Sequence, residues 1–325
     1  MRRREFIVGV CSIAAWPLIA RAQSAMPVVG YLSGAGQNAY SADVTAFVQG
    51  LKEQDYLAGQ NVLIKPRLAE GHVDRLPALA AELVAQHVAV IFAAEGASSA
   101  LAAKAATSTI PIVFVNGGDP VKLGLVQNLN RPGGNITGVS MLLNALGDKR
   151  LGLLHEVLPA ATKIGLMTNP TNPSSHSDLR DIEAAARALK LHLIVENAST
   201  LSEIDRAFAS LSQEGAEAFI SAADIFLFAQ RKHIVALAEQ YKLPAIYHLG
   251  DFAAVGGLMA YGTEVADAHR LGGVYTRRIL KGEEPRDLAV QQPVKTEFVV
   301  NLKTAKALGL SIPPGVLAIA DKVIE

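Results

Sequence analysis

The sequence predicts an α/β protein built as two doubly wound, parallel-sheet lobes with three crossovers and a cleft between them. Three observations carry this. The chain has 325 residues, more than one ordinary core and suited to two. From Met26 onward, short apolar runs alternate with segments of helical period. Runs such as Val88-Ala89-Val90-Ile91-Phe92 are apolar throughout, the pattern of strands covered on both faces.

In chain order, the expected strands are Pro27–Leu32, Asn61–Lys65, Val88–Ala93, Pro111–Val115, Lys163–Met167, Leu191–Val195, Ala218–Ser221, Pro244–Tyr247 and Leu258–Tyr261. Between them apolar residues recur at helical spacing: Val44, Phe47, Val48 and Leu51; Leu76, Leu79, Ala80 and Leu83; Leu179, Ile182 and Leu189; Ile204, Phe208 and Leu211; Ile234, Leu237, Ala238 and Tyr241. Thr200-Leu201-Ser202-Glu203 reads as a capping box opening the fourth of these helices. The rhythm breaks at Arg131–Asn135, at His248–Asp251 with Gly256-Gly257, and from Glu283 to Pro293, where the chain is expected to cross between lobes. The expected division is 23–139 plus 252–291 for the N-terminal lobe and 140–251 plus 292–325 for the C-terminal lobe.

Residues 1–22 stand apart as a cleavable export signal. Arg2, Arg3 and Arg4 precede an apolar run from Ile7 to Ala20 that ends in Ala20-Arg21-Ala22, and Arg3-Arg4-Glu5-Phe6-Ile7 has the twin-arginine form. Cleavage after Ala22 removes the single Cys, Cys11, and the single Trp, Trp16. The mature chain is then left without disulfides or thiolate metal ligands. Lys plus Arg and Asp plus Glu both total 30, so the basic excess of a nucleic-acid-binding protein is missing.

Gly34-Ala35-Gly36-Gln37-Asn38-Ala39 follows the first strand as a G-x-G-x-x-A, the outline of a dinucleotide loop. The helical pattern starts only near Ser41, and the second strand ends in Lys65-Pro66-Arg67 without the acidic residue that holds a ribose. An exported NADP-dependent oxidoreductase using this loop and Arg67 is therefore the alternative reading, a ligand-sensing module another. P-loop, G-x-S-x-G and H-E-x-x-H signatures are missing, and His155, His192 and His233 fall in strand or helix patterns without ligand spacing. What remains is a ring of short polar segments at strand ends, where open α/β sheets bind ligands. It supplies the candidate ligand-binding residues Ser33, Gly34, Glu95, Gly96, Asn116, Gly117, Asp119, Asn169, Asn172, Ser174, Asp224, Tyr247 and Asp251. Asp119, after Gly117-Gly118, leads this set; Asp119, Asp224 or Glu95 would pair an amine or hydroxyls, and Tyr31, Tyr247 and Phe252 are the candidates for aromatic cover. No catalytic residue, metal ligand or cofactor is expected.

Several stretches resemble one family. They are Ile110–Phe114 leading to Asp119-Pro120-Val121-Lys122-Leu123-Gly124-Leu125-Val126, Pro132–Val139, Asn169-Pro170-Thr171-Asn172-Pro173, Tyr261-Gly262-Thr263-Glu264, Asn301–Leu310 and Ala320–Glu325. The chain resembles the bacterial ABC-transporter substrate-binding proteins of the tryptophan/tyrosine type, with a type I periplasmic-binding-protein fold. The resemblance implies a periplasmic, non-catalytic receptor that traps a small solute by hinge closure and hands it to a membrane permease. Its ligand would be an amino acid or an aromatic or carboxylate compound. Family members often carry Gly, then Thr or Ser, then Pro after the third strand, where this chain has Glu95-Gly96-Ala97-Ser98.

Overall fold

The computed structural model describes residues 26–53, 56–292 and 295–325, so the expected export signal lies outside the described residues. Twelve strands are described: β1 (Val28–Ser33), β2 (Leu63–Leu68), β3 (Val90–Ala94), β4 (Ile112–Asn116), β5 (Ile136–Ser140), β6 (Lys163–Thr168), β7 (His192–Asn197), β8 (Ala218–Ser221), β9 (Ala245–Tyr247), β10 (Met259–Thr263), β11 (Thr296–Asn301) and β12 (Lys322–Ile324). They form a five-stranded sheet of order β2-β1-β3-β4-β5 and a seven-stranded sheet of order β12-β11-β10-β9-β8-β6-β7. The first sheet is parallel throughout, and the second is parallel except where β11 runs antiparallel to β10.

The burial of each strand explains its sequence. β3, β4 and β5 are buried at every position, as strands between two helical layers must be. β2 carries Pro66 and is only part-buried, and it lies at the sheet edge, the one place where a missing backbone N–H leaves no ladder bond unmade. The sequence pattern misses β5 because it is short and interrupted by Gly138. That glycine lets β5 approach β4, since a Cβ there would come 2.1 Å from the Phe114 carbonyl oxygen.

The pairing corrects the expected lobe boundary at 252. Helix Gly250–Ala254 packs beside β10 and β11, and β10 hydrogen-bonds to β9, so residues 252–263 complete the second sheet. The chain returns to the first lobe only after Thr263, through helix Val265–Leu280, which lies along helix Gln37–Lys52. Near the crossings, the Thr263 hydroxyl donates to the Met141 carbonyl at 2.8 Å, and Gln291 bridges to Val139. Among the described residues no helix is long and apolar enough to cross a membrane.

Candidate functional site

The C-terminal ends of the strands in both sheets open on one shared cavity of about 1030 Å³. Its first-lobe wall is made by the turns after β1, β3 and β4, with Gly34, Gly36, Glu95, Gly96, Gly117 and Gly118. Its second-lobe wall is made by the turns after β6, β8 and β9, with Asn169, Asn172, Ser174, Asp224, His248 and Asp251.

The second-lobe wall is an internally bonded polar lattice. Asp224 caps helix Ile225–Ala229 by accepting the Leu227 N–H at 2.9 Å, and it also accepts from the side-chain amides of Asn169 at 3.2 Å and Asn172 at 3.0 Å. Burial raises its carboxyl above the ordinary range against the pull of those donors. Asn169 in turn accepts from the Thr171 backbone at 3.0 Å, and Asn172 from the Ser174 backbone at 2.9 Å. Asp224 therefore shapes the wall, with three hydrogen bonds from the protein already engaging its carboxylate. His248 is buried, and its imidazole is pushed down to about 3 by burial and then by Arg150, so it faces the cavity uncharged. Asp251 lines the same wall and is exposed.

The first-lobe wall holds a different chemistry. Helix Ala97–Ala106 begins directly after Gly96, whose φ of 121° only glycine adopts without strain, and Ala97, Ser98 and Ser99 of its first turn line the cavity. Helix Gln37–Lys52 starts right after Gly36, earlier than the sequence pattern suggests, so a second helix N-terminus also opens here. Glu95 is buried with φ of 60°, a conformation unfavourable for a side chain of its kind. Its carboxylate accepts the Ser33 hydroxyl, and burial followed by the adjacent Asp43 raises its pKa well above the usual carboxylate range. Asp43 and His269 line the cavity beside it, and sequence reasoning finds neither, because each lies inside a helical pattern with no turn signal to mark it.

Several sequence candidates stand elsewhere. Asp119 does not reach the cavity: its Oδ1 accepts the backbone N–H groups of Val121 at 2.8 Å and Lys122 at 3.2 Å, and so turns back on its own loop. Ser33 is fully buried behind Glu95, its Oγ also accepting the Ala35 N–H at 2.9 Å. Asn116 is buried at the end of β4, away from the cavity surface, with both side-chain amide atoms unpartnered. Tyr247 stacks on Phe252 at 4.5 Å with an interplanar angle of 7°, and both are core residues. Tyr31 likewise packs against Phe47 and Phe92. Among the described residues, the phenylalanines that line the cavity are instead Phe226 and Phe228, on helix Ile225–Ala229, with the Arg231 guanidinium 4.6 Å from the Phe228 ring. Arg67, required by the dinucleotide reading, is held by Glu82 at 2.7 Å and does not line the cavity.

The family model described as ABC transporter substrate binding protein matches residues 28–324. The chain belongs to that family. This substrate-binding protein is 28% identical to the tyrosine-binding protein of Clostridioides difficile over 264 residues, 81% of this chain and 75% of that one. It superposes on a conserved domain protein of Vibrio cholerae with a TM-score of 0.86 at 26% identity, covering 92% of this chain and 99% of that one. It also matches the fold of an ABC domain from Streptococcus pneumoniae in complex with L-Trp, with a TM-score of 0.84 at 23% identity over the same shares. The two-sheet architecture is thus that of type I periplasmic-binding-protein-like proteins.

Proposed function

We propose that this substrate-binding protein is exported and traps an amino acid or a related aromatic carboxylate between its lobes, for delivery to the membrane permease of an ABC importer. The observation that carries this reading is that one cavity is lined from the C-terminal strand ends of both sheets, so that one solute would touch both lobes and favour their approach. The helix N-termini at Gln37 and Ala97 offer unpaired backbone N–H groups to a carboxylate. Phe226 and Phe228 offer an apolar surface to the rest of the solute. The tyrosine-binding relative and the L-Trp complex support the amino-acid class.

Calorimetry of the mature chain against L-tyrosine, L-tryptophan, benzoate and NADP tests the reading. Saturable, stoichiometric binding of one of the first three is expected, with a rise in melting temperature that follows ligand concentration. Binding of NADP alone overturns it in favour of an oxidoreductase. Export has its own test: N-terminal sequencing of periplasmic material should begin near Gln23.

A further inference from the structure

The first-lobe wall contains a cluster that solute binding by helix N-termini and aromatic rings leaves unused. Asp43 on helix Gln37–Lys52, Glu95 after β3 and His269 on helix Val265–Leu280 each present one ligating atom, all within 4.8 Å of one another. His269 is fully buried, its ring edge-on to Phe92. Its Nδ1 lies 3.0 Å from the Val265 carbonyl oxygen. A carbonyl can only accept, so Nδ1 carries a proton, and in the neutral ring Nε2 presents a lone pair. That Nε2 has no hydrogen-bond partner and lies 4.0 Å from Asp43 Oδ2. Glu95 is 8% exposed, and its Oε1 is also unpartnered. A buried imidazole nitrogen without a hydrogen-bond partner, facing two carboxyl groups, is an arrangement that a bound cation would stabilise.

We propose that Asp43, Glu95 and His269 form a binding site for a divalent transition-metal ion of the zinc class. One imidazole and two carboxylates are a borderline N/O donor set suited to such ions. The Nδ1 contact to a backbone carbonyl is the outer contact that orients a metal-binding histidine. Three protein ligands leave a coordination position toward the cavity, where water or a solute carboxylate would complete the shell. Ligand atoms around a tetrahedral zinc ion stand about 3.3–3.6 Å apart, for bonds of roughly 2.0–2.2 Å. The ion would therefore draw the partly exposed Asp43 side chain inward. Glu95 also keeps a φ of 60°, uncommon for a residue other than glycine and a conformation that clusters at functional sites. The inference does not depend on which solute the cleft takes.

Titration calorimetry of the untagged, chelator-stripped mature chain with zinc chloride, and separately with manganese chloride, tests it. One zinc ion per chain is expected, with affinity lowered at least about tenfold in Glu95→Gln and in Asp43→Asn, and lost in His269→Ala. Circular dichroism checks that each variant folds; Asp43, being partly exposed, keeps the test open if the His269 variant does not. Absence of zinc binding overturns the proposal, as does weak binding unchanged in the variants. Tyramine binding that the same variants abolish, without zinc binding, also overturns it and assigns the cluster to an ammonium group.

Discussion

Gly118 of the first lobe and Ser174 of the second meet across the mouth of the cleft, so closely that a Cβ on Gly118 would come 2.5 Å from the Ser174 hydroxyl. A second bridge lies beside it, where Lys122 reaches Asp181 at 3.6 Å, but both side chains are largely exposed and that pair contributes little. The glycine contact is steric and therefore bears directly on how far the lobes approach.

Gly118→Leu should hold the lobes apart, because rotation of the Ser174 hydroxyl makes room for a methyl group but not for a branched side chain. The expected result is an affinity for L-tyrosine or L-tryptophan about tenfold weaker, or about 1.4 kcal/mol, with the melting temperature of the unliganded protein nearly unchanged. Calorimetry and thermal melting measure the two. Unaltered affinity would show that closure does not use this contact.

Gly50 and Gly273 serve a different end, the packing of helix Gln37–Lys52 on helix Val265–Leu280. A Cβ on Gly50 would lie 1.9 Å from the Arg270 carbonyl oxygen, and one on Gly273 would lie 2.1 Å from that of Phe47. Backbone cannot step aside as a side chain can. Gly50→Ala or Gly273→Ala should therefore destabilise the first lobe by about 1–3 kcal/mol, seen as a lower midpoint in urea. An unchanged midpoint would mean that the helices separate freely.

Asp119 is expected to act on stability alone. Asp119→Ala removes the acceptor for two backbone N–H groups and should cost about 1 kcal/mol of unfolding free energy, leaving solute affinity at the wild-type value. A loss of affinity without a loss of stability would return Asp119 to the binding site.

Glu217 gives a pH-dependent prediction. Its carboxylate accepts the backbone N–H groups of Thr162 at 2.6 Å and Lys163 at 2.9 Å, and these bonds hold its pKa below the ordinary carboxylate value. A carboxyl whose pKa is lower in the folded state stabilises above the unfolded value, about 4.3, and that stabilisation disappears as pH falls through the folded value. Glu217→Gln should lower the melting temperature at pH 7 and flatten its decline below about pH 5. A decline as steep as wild type would exclude the contribution.

Much of the fold is legible in the residues because period and burial are local properties. The capping box is an instance: Thr200 accepts the Glu203 N–H at 3.3 Å, while Glu203 reaches back to the Ser199 N–H at 2.8 Å. The polar turns after β1, β3, β4, β6, β8 and β9 are legible for the same reason, since each interrupts an apolar run. Side-chain direction within those turns is not. Asp119 and Glu95 both follow buried parallel strands, yet nearby backbone donors claim Asp119 and leave one oxygen of Glu95 unpartnered.

By itself, then, the sequence determined the alternation of strands and helices, the set of turns from which a cleft could be made, and the family resemblance that its motifs carry. The tertiary structure decided which of those residues meet. It moved the second crossing to Thr263, because β10 finds its hydrogen bonds in the second sheet. It replaced Tyr247 by Phe226 and Phe228 at the cavity, because Tyr247 stacks on Phe252 inside the core. It also brought His269 beside Asp43 and Glu95, because the returning helix Val265–Leu280 packs through glycine on helix Gln37–Lys52. Contacts of that kind depend on long-range packing and competition for hydrogen bonds, which no local spacing of residues encodes.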